Sequence, residues 1–367
     1  MRHDEAGSPG LTGSARRSLE SKCGRDTLPP EFFGPQTWGI TAVDHRKQVI
    51  RGLITGDDSM HLKPARTAAT AAAVGGVLVL GLGSAQAAKA SPEDYVGCSA
   101  DALDSAISGG GTLHLAAGCT YRLRGTLTVS HDITIYGDGA TLEGGGSRAS
   151  HFSIMTVDST KDVTLYGVNF TRGWTYYNGG AIDNDGDLTV NGGTFSHNYA
   201  GIHGGAIDVE AGSLTINDAV FIGNSAYHGG AVHTNGAEIT DITGAHFSQN
   251  EALSGGAIYN FNGVDVADST FAGNTADDGG AIFNYQGSLT LGDEEGVPGS
   301  GNSFTGNIAD DGGAIYDYGD ATLDDSTIIS NAAHDLGGGI YYYCGSITLS
   351  GSTVYDNVTD NIYNDGC

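Results

Sequence analysis

From Gly173 to the last residue, Cys367, the chain contains no lysine and no arginine. Binding to a nucleic-acid backbone rests on cationic side chains, so that partner class is excluded as the main task of this region, and attraction to an anionic membrane surface is excluded with it. Beyond Ala87, 35 Asp+Glu face six Lys+Arg, a net charge of −29. Charge of one sign keeps an exported protein soluble. Cysteine is also scarce, with five in 367 residues, and no two stand at C-x-x-C spacing, which argues against a structural zinc site built on thiolates. Helix-compatible stretches are few, because glycine accounts for 60 residues and the segments between glycines are rich in Thr, Val and Ile.

What the chain does have is repetition. Gly-Gly-Ala-Ile begins at Gly179 and returns at Gly204, Gly229 (as GGAV), Gly255, Gly279, Gly312 and Gly337 (as GGGI), at intervals of 25, 25, 26, 24, 33 and 25 residues. An apolar residue followed three later by Asn keeps step: Phe195/Asn198, Phe221/Asn224, Phe247/Asn250, Phe271/Asn274, Phe304/Asn307, Ile328/Asn331 and Val354/Asn357. No single repeat carries enough apolar residues for a core of its own, so each must bury itself against its neighbours. Period-two alternation, as in Asp187-Leu188-Thr189-Val190 and Ser213-Leu214-Thr215-Ile216, makes the elements strands. Parallel pairing between successive coils, about 4.8 Å apart, with right-handed connections gives an all-β fold, a right-handed single-stranded parallel β-helix. The recurring Asn is suited to a ladder of side-chain amides inside the turns.

The paired GGAI and FxxN signatures resemble the repeat of the chlamydial polymorphic outer membrane proteins and of secreted bacterial pectate-lyase-like β-helix proteins that carry it. The resemblance covers residues 179–357, and a second likeness, to the amino-terminal coil of the secreted members, lies in Gly109-Gly-Gly-Thr-Leu-His-Leu-Ala-Ala-Gly-Cys-Thr-Tyr-Arg-Leu123. It implies the solenoid and an extracellular or surface setting; adhesins and autotransporter passengers are among such proteins. With the chain stopping at Cys367, no C-terminal membrane barrel is expected.

Upstream, residues 1–59 have no period and read as an untranslated or disordered extension. Residues 60–87 read as a signal peptide: Met60, then Lys63 and Arg66, an apolar run from Ala68 to Leu82, and Ala85-Gln86-Ala87-Ala88. If Met1 is the start, 67–87 becomes a membrane-tethering signal-anchor. Residues 91–178 form an N-terminal cap and irregular coils, and 179–367 the tandem coils. Ser99–Ser108 is expected as a short capping helix with Ser99 as N-cap, and strands are expected at Thr112–Leu115, Thr126–Val129, Ile133–Tyr136, Ile154–Val157 and Val163–Tyr166. Outside the extension the cysteines form two local pairs, Cys98 with Cys119 and Cys344 with Cys367; three connectivities are formally possible, and these two are favoured because the array separates its ends. Disulfides there suit an oxidising compartment.

Reading down aligned columns, the residue after each GGAI is Asp183, Asp208, His233, Tyr259, Phe283, Tyr316 and Tyr341. Two positions on, on the same strand face, come Asp185, Glu210, Asn235, Phe261, Tyr285, Tyr318 and Tyr343. The intervening column, with Asn184, Asn260 and Asn284, faces the other way. If turned outward, the eight rings form a strip suited to polysaccharide or a cell-surface glycan; stacking for stability alone is the plainer role. The leading expectation is therefore a non-catalytic, monomeric, adhesin-like secreted protein, with no cofactor required. The alternative is a glycoside hydrolase using Asp183, Asp185, Asp208 or Glu210, since such enzymes need two carboxyls about 5 to 9.5 Å apart. A pectate-type lyase is disfavoured: its cationic base would have to come from Arg122, Arg124, Arg148, Lys161 or Arg172, all upstream of the array, and the Arg-x-Lys element of polygalacturonase-like β-helices is missing. Asp277, Asp278, Asp310, Asp311 and Asp335 are candidate calcium ligands, although Asp also forms turns. His203 and His228 share a column, with His233 just beyond, as a conceivable transition-metal site. Trp174, with Arg172, Tyr176 and Tyr177, stands at the mouth of the array, and the loop Asp293–Gly301 accounts for the long interval.

Overall fold

The computed structural model describes residues 95–236, 239–292 and 301–366. The extension 1–59, the signal segment 60–87, residues 293–300 of the insertion and Cys367 lie outside the described residues.

The described chain is a parallel β-solenoid. One turn of it, read from a Gly pair, runs Ile182–Asn184, Asp187–Asn191 and Thr194–Ser196 before returning at Ile207–Val209. Each of these three strands stacks on its equivalents in other turns. The result is an eleven-stranded sheet of mostly five-residue strands and two ten-stranded sheets, counted among the described residues. Register is kept without a slip along the sheet that follows the Gly pairs: Ile182, Ile207, Val232, Ile258, Ile282, Ile315, Ile340 and Ile362 are successive partners.

Alternation explains why one interior serves all three sheets. In Asp187–Asn191 only Leu188 and Val190 are buried, and in Thr194–Ser196 only Phe195. Phe170, Phe195, Phe221, Phe247, Phe271 and Phe304 stack ring on ring at 4.5–4.9 Å, each essentially inaccessible. Burying each such ring contributes about 2 to 3 kcal/mol. Beside the rings runs the expected amide ladder. Asn224 Nδ2 and its backbone N–H both donate to Asn250 Oδ1 at 3.0 Å, and the same pair of bonds recurs from Asn198 to Asn224, Asn250 to Asn274, Asn274 to Asn307, Asn307 to Asn331 and Asn331 to Asn357. The second hydrogen of each amide caps a strand carbonyl, as from Asn250 to Phe221. The buried side-chain amides of the ladder are thereby paired on both their oxygen and their nitrogen.

The Gly pair makes the sharp reversal. Gly204 has φ +57, and a Cβ on Gly205 would overlap the carbonyl oxygen of Gly230 in the next turn. The reversal lays the segment before each pair across the backbone that follows it. Those covering segments associate with one another through Trp174–Thr175 with Tyr199–Ala200, Ile308–Asp311 with Ala332–Leu336, and bridges such as His203 to His228, forming a narrow fourth strip.

The capping helix spans Ala100–Ile107, with Ser99 accepting from the Ala102 N–H and Leu103 and Ile107 buried over the first turns. Cys98 and Cys119 are bonded and tie the start of this helix to the chain ahead of Thr120–Arg122. Cys344 is also disulfide-bonded. The expected early strands are present at Gly111–Leu115, Leu127–Val129, Ile133–Tyr136, Met155–Val157 and Asp162–Tyr166. Thr120–Arg122, Thr141–Glu143 and Asn169–Thr171 join them as strands that a three-residue alternation was too short to announce.

Candidate functional site

The outer face of the sheet that follows the Gly pairs carries the site. In the six strands from Ile182–Asn184 to Ile315–Asp317 the first and third side chains are buried in the core, so the middle one faces out. Asp183, Asp208, His233, Tyr259, Phe283, Tyr316, Tyr341 and Tyr363 are direct partners in eight successive strands. From Tyr259 onward their rings stack at centroid distances of 5.1, 4.8, 4.6 and 5.7 Å. The inward column is as expected: Asn184, Asn260 and Asn284 are fully buried.

Outward-facing does not mean open. The strip before the Gly pairs folds over this column, leaving Tyr259, Phe283 and Tyr341 only 9%, 8% and 6% exposed. Of the eight rings expected in the strip, Tyr259, Phe283 and Tyr341 are therefore a support layer, while Tyr316 is partly uncovered, as is Tyr363 at the end of the same column. Access belongs to the column two residues on, where Phe261, Tyr285, Tyr318 and Tyr343 form their own ladder at 5.5, 5.7 and 5.1 Å, with Phe261 exposed and the others half-buried. Burial raises the Tyr316 phenol to about 12, and the Tyr341 phenol, which donates to Asp365 at 2.9 Å, is raised further for the same reason, so both stay protonated.

At its other end the column turns polar. His203, from the covering strip, stacks on His233 at 4.0 Å, and His233 Nδ1 lies 2.6 Å from Asp208 Oδ1. Asp208 is 0% and His233 3% exposed. Burial pushes the Asp208 carboxyl up and the His233 imidazole down, favouring the neutral form of each. Burial, then repulsion from Asp208, Glu210 and Asp185, raises Asp183 to about 7, while burial lowers His203 and His228 to about 4. Asp208 Oδ2 and His228 Nδ1 are buried without a hydrogen-bond partner. Glu210 accepts a hydrogen bond from Asn178, and Asp185 lies at the strand end.

His203, Asp208 and His233 are the one group of three or more potential metal ligands that converges among the described residues, with ligand atoms all within 4.8 Å of one another. Histidine spacing in the sequence grouped His203 and His228 with His233; in the fold His203 and His228 do share a column, but their rings are 5.6 Å apart and His228 packs on Tyr259 at 4.6 Å. Asp208 completes the group because it pairs directly with His233 in the neighbouring strand. The calcium candidates occupy neighbouring turns, Asp278 bridging to Asp311, but their groups are engaged: Asp310 with His334 at 2.7 Å and Asp311 with the Leu336 N–H at 3.0 Å. Asp277 and Asp335 are exposed. Trp174 is packed, edge-on to Tyr176 and stacked on Tyr199 at 4.8 Å. Of the upstream cations, Arg122 and Arg172 both pair with Glu143. A further external ring row went unread in the sequence: His114, Tyr136 and Tyr166 stack at 4.9 Å, and aligning the ends of the early strands would have found it.

Among known protein families, the Chlamydia polymorphic membrane protein (Chlamydia_PMP) repeat matches residues 268–285 and 303–317. No curated protein and no solved structure matches the chain. The matched residues hold two FxxN and GGAI units, Phe271 to Ile282 and Phe304 to Ile315, so these turns of the β-helix are similar to that repeat.

Proposed function

We propose that this chain is an exported, adhesin-like, non-catalytic β-helix that binds a neutral polysaccharide or cell-surface glycan along Phe261, Tyr285, Tyr318 and Tyr343. The observation that carries this reading is the ladder of those four rings, held in register by the buried column beside it. It spans roughly 15 Å, three rung spacings. Flat rings supply apolar faces for sugar faces, and preorganisation keeps the ordering cost low. The absence of cationic residues beyond Gly173 sets the class of sugar, since polyuronates and sulfated glycans would be repelled. The repeat family, the disulfides and the acidic surface support display outside the cell.

Retention of the purified protein on immobilised polysaccharides, neutral and anionic, with and without EDTA, tests the proposal. Neutral polymers retain it, and Tyr285→Ala with Tyr318→Ala weakens retention by roughly tenfold per ring. Undiminished retention in the double variant sinks the assignment. A second reading, hydrolysis at the early turns, is favoured only by Asp183, half-buried and raised to about 7 next to Asp185 and Glu210. Asp208 is too deeply covered to touch a polymer. Release of reducing ends that disappears in Asp183→Asn would favour that reading instead.

A further inference from the structure

We propose that His203, Asp208 and His233 form a binding site for one zinc-type divalent ion. The site continues the inner ring column, His233 lying 5.2 Å from Tyr259, and the proposal does not rest on glycan binding. Three observations converge. The ligand atoms of the three side chains already lie within 4.8 Å of one another, whereas donors around a single tetrahedral zinc, with bonds of about 2.0 to 2.2 Å, stand roughly 3.3 Å apart. Strand pairing holds Asp208 and His233 side by side; to take up an ion the His203 donor moves inward and the hydrogen bond of 2.6 Å between Asp208 and His233 gives way to a metal bond from each.

The second observation is chemical. Asp208 is fully buried, one of its oxygens meets His233 at 2.6 Å and the other, Oδ2, has no partner. A buried carboxyl oxygen without a partner is expensive whether or not the group carries its proton, and a divalent ion bound in place of that proton removes the cost. Two imidazoles with one carboxylate suit zinc and its neighbours rather than calcium or magnesium, which take oxygen ligands.

The third is position. The column that holds Asp208 and His233 is ring-lined in every later turn, so a polar pair breaks a pattern that packing alone would continue. His203 arrives from a separate element, the covering strip, and its ring stacks on that of His233 at 4.0 Å. Three protein ligands leave the fourth zinc position to water or to a group from a ligand.

The test uses the purified chain, stripped with chelator and titrated with Zn²⁺ by calorimetry, and with Co²⁺ followed by its visible absorption. One ion per chain is expected, with cobalt bands characteristic of nitrogen and oxygen ligation. His203→Ala and Asp208→Asn should each weaken binding by roughly 100-fold or more, while His334→Ala, which alters the exposed His334–Asp310 pair, leaves it unchanged. His203 comes from the covering strip and not the core, so its variant keeps the test available if Asp208→Asn does not fold. Failure to take up either metal, or equal affinity in wild type and His203→Ala, overturns the proposal; so does loss of binding in His334→Ala alone.

Discussion

Asn284 donates through Nδ2 to Asp317 Oδ1 at 2.6 Å, ending a buried side-chain row that runs from Thr234 through Asn260. Asp317 is fully buried, and its Oδ2 has no partner, whereas the Asn284 amide also reaches the Gly287 carbonyl. Burial raises the Asp317 carboxyl above the usual aspartate value. The folded state therefore holds the proton more tightly than the unfolded chain, so this residue's contribution is greatest below about pH 4 and is lost as pH climbs through the raised value. Asp317→Asn supplies the missing donor without a charge. It should stabilise the protein by about 1 kcal/mol at pH 7, with the gain shrinking towards pH 4; denaturant titrations at several pH values measure this.

Removing one amide from the long ladder should have the opposite effect. In Asn250→Ala the Asn224 N–H and Nδ2–H lose their acceptor and the Phe221 carbonyl loses its side-chain donor, all of them buried, while Asn274 Oδ1 keeps only the Asn250 N–H. A loss of about 3 kcal/mol or more is expected from chemical denaturation, well beyond the cost of a surface Asn→Ala change.

Gly230→Ala isolates close approach from positive φ. Its added methyl would overlap the Gly256 carbonyl oxygen and reach the Glu251 backbone. The expected result is a drop of several kcal/mol in stability, measured by thermal melting, because neither neighbour is a side chain able to move aside.

Phe221→Ala and Tyr318→Ala separate scaffold from surface. Deleting a core ring of the stack should cost about 3 to 5 kcal/mol. The outer ring should cost less than about 1 kcal/mol, yet reduce glycan retention. Equal destabilisation by the two would argue that the outer ladder is structural only.

The architecture was legible because translation along the axis maps one sequence position onto one place in space. GGAI and FxxN therefore announced three columns at once: the glycine reversal, the core ring and the ladder amide. Asp208 and Tyr259 show where that legibility stops. Alternation correctly turned both outward, but it carries no information about a segment that folds back across the strand, and it is this segment that buries them. His233 was legible as a neighbour of His203 and His228, but Asp208 as the third member of the group was not, because His203 belongs to a different column brought to Asp208 and His233 only by the reversal. Thr120–Arg122 and Thr141–Glu143 escaped because the early turns lack the tandem signatures.

The amide ladder is directional. From Asn198 to Asn357 each side chain gives to its successor and receives from its predecessor. Every interior turn thus ends in the same pair of complementary faces, so a whole turn can be duplicated or excised during evolution without creating a mismatched junction. The 33-residue interval obeys the same rule: the bond from Asn274 to Asn307 is 2.9 Å, as short as its neighbours. Selection can therefore lengthen such a rod, and whatever its flank displays, by modular copying, with novelty confined to the side chains that face away from the shared interior.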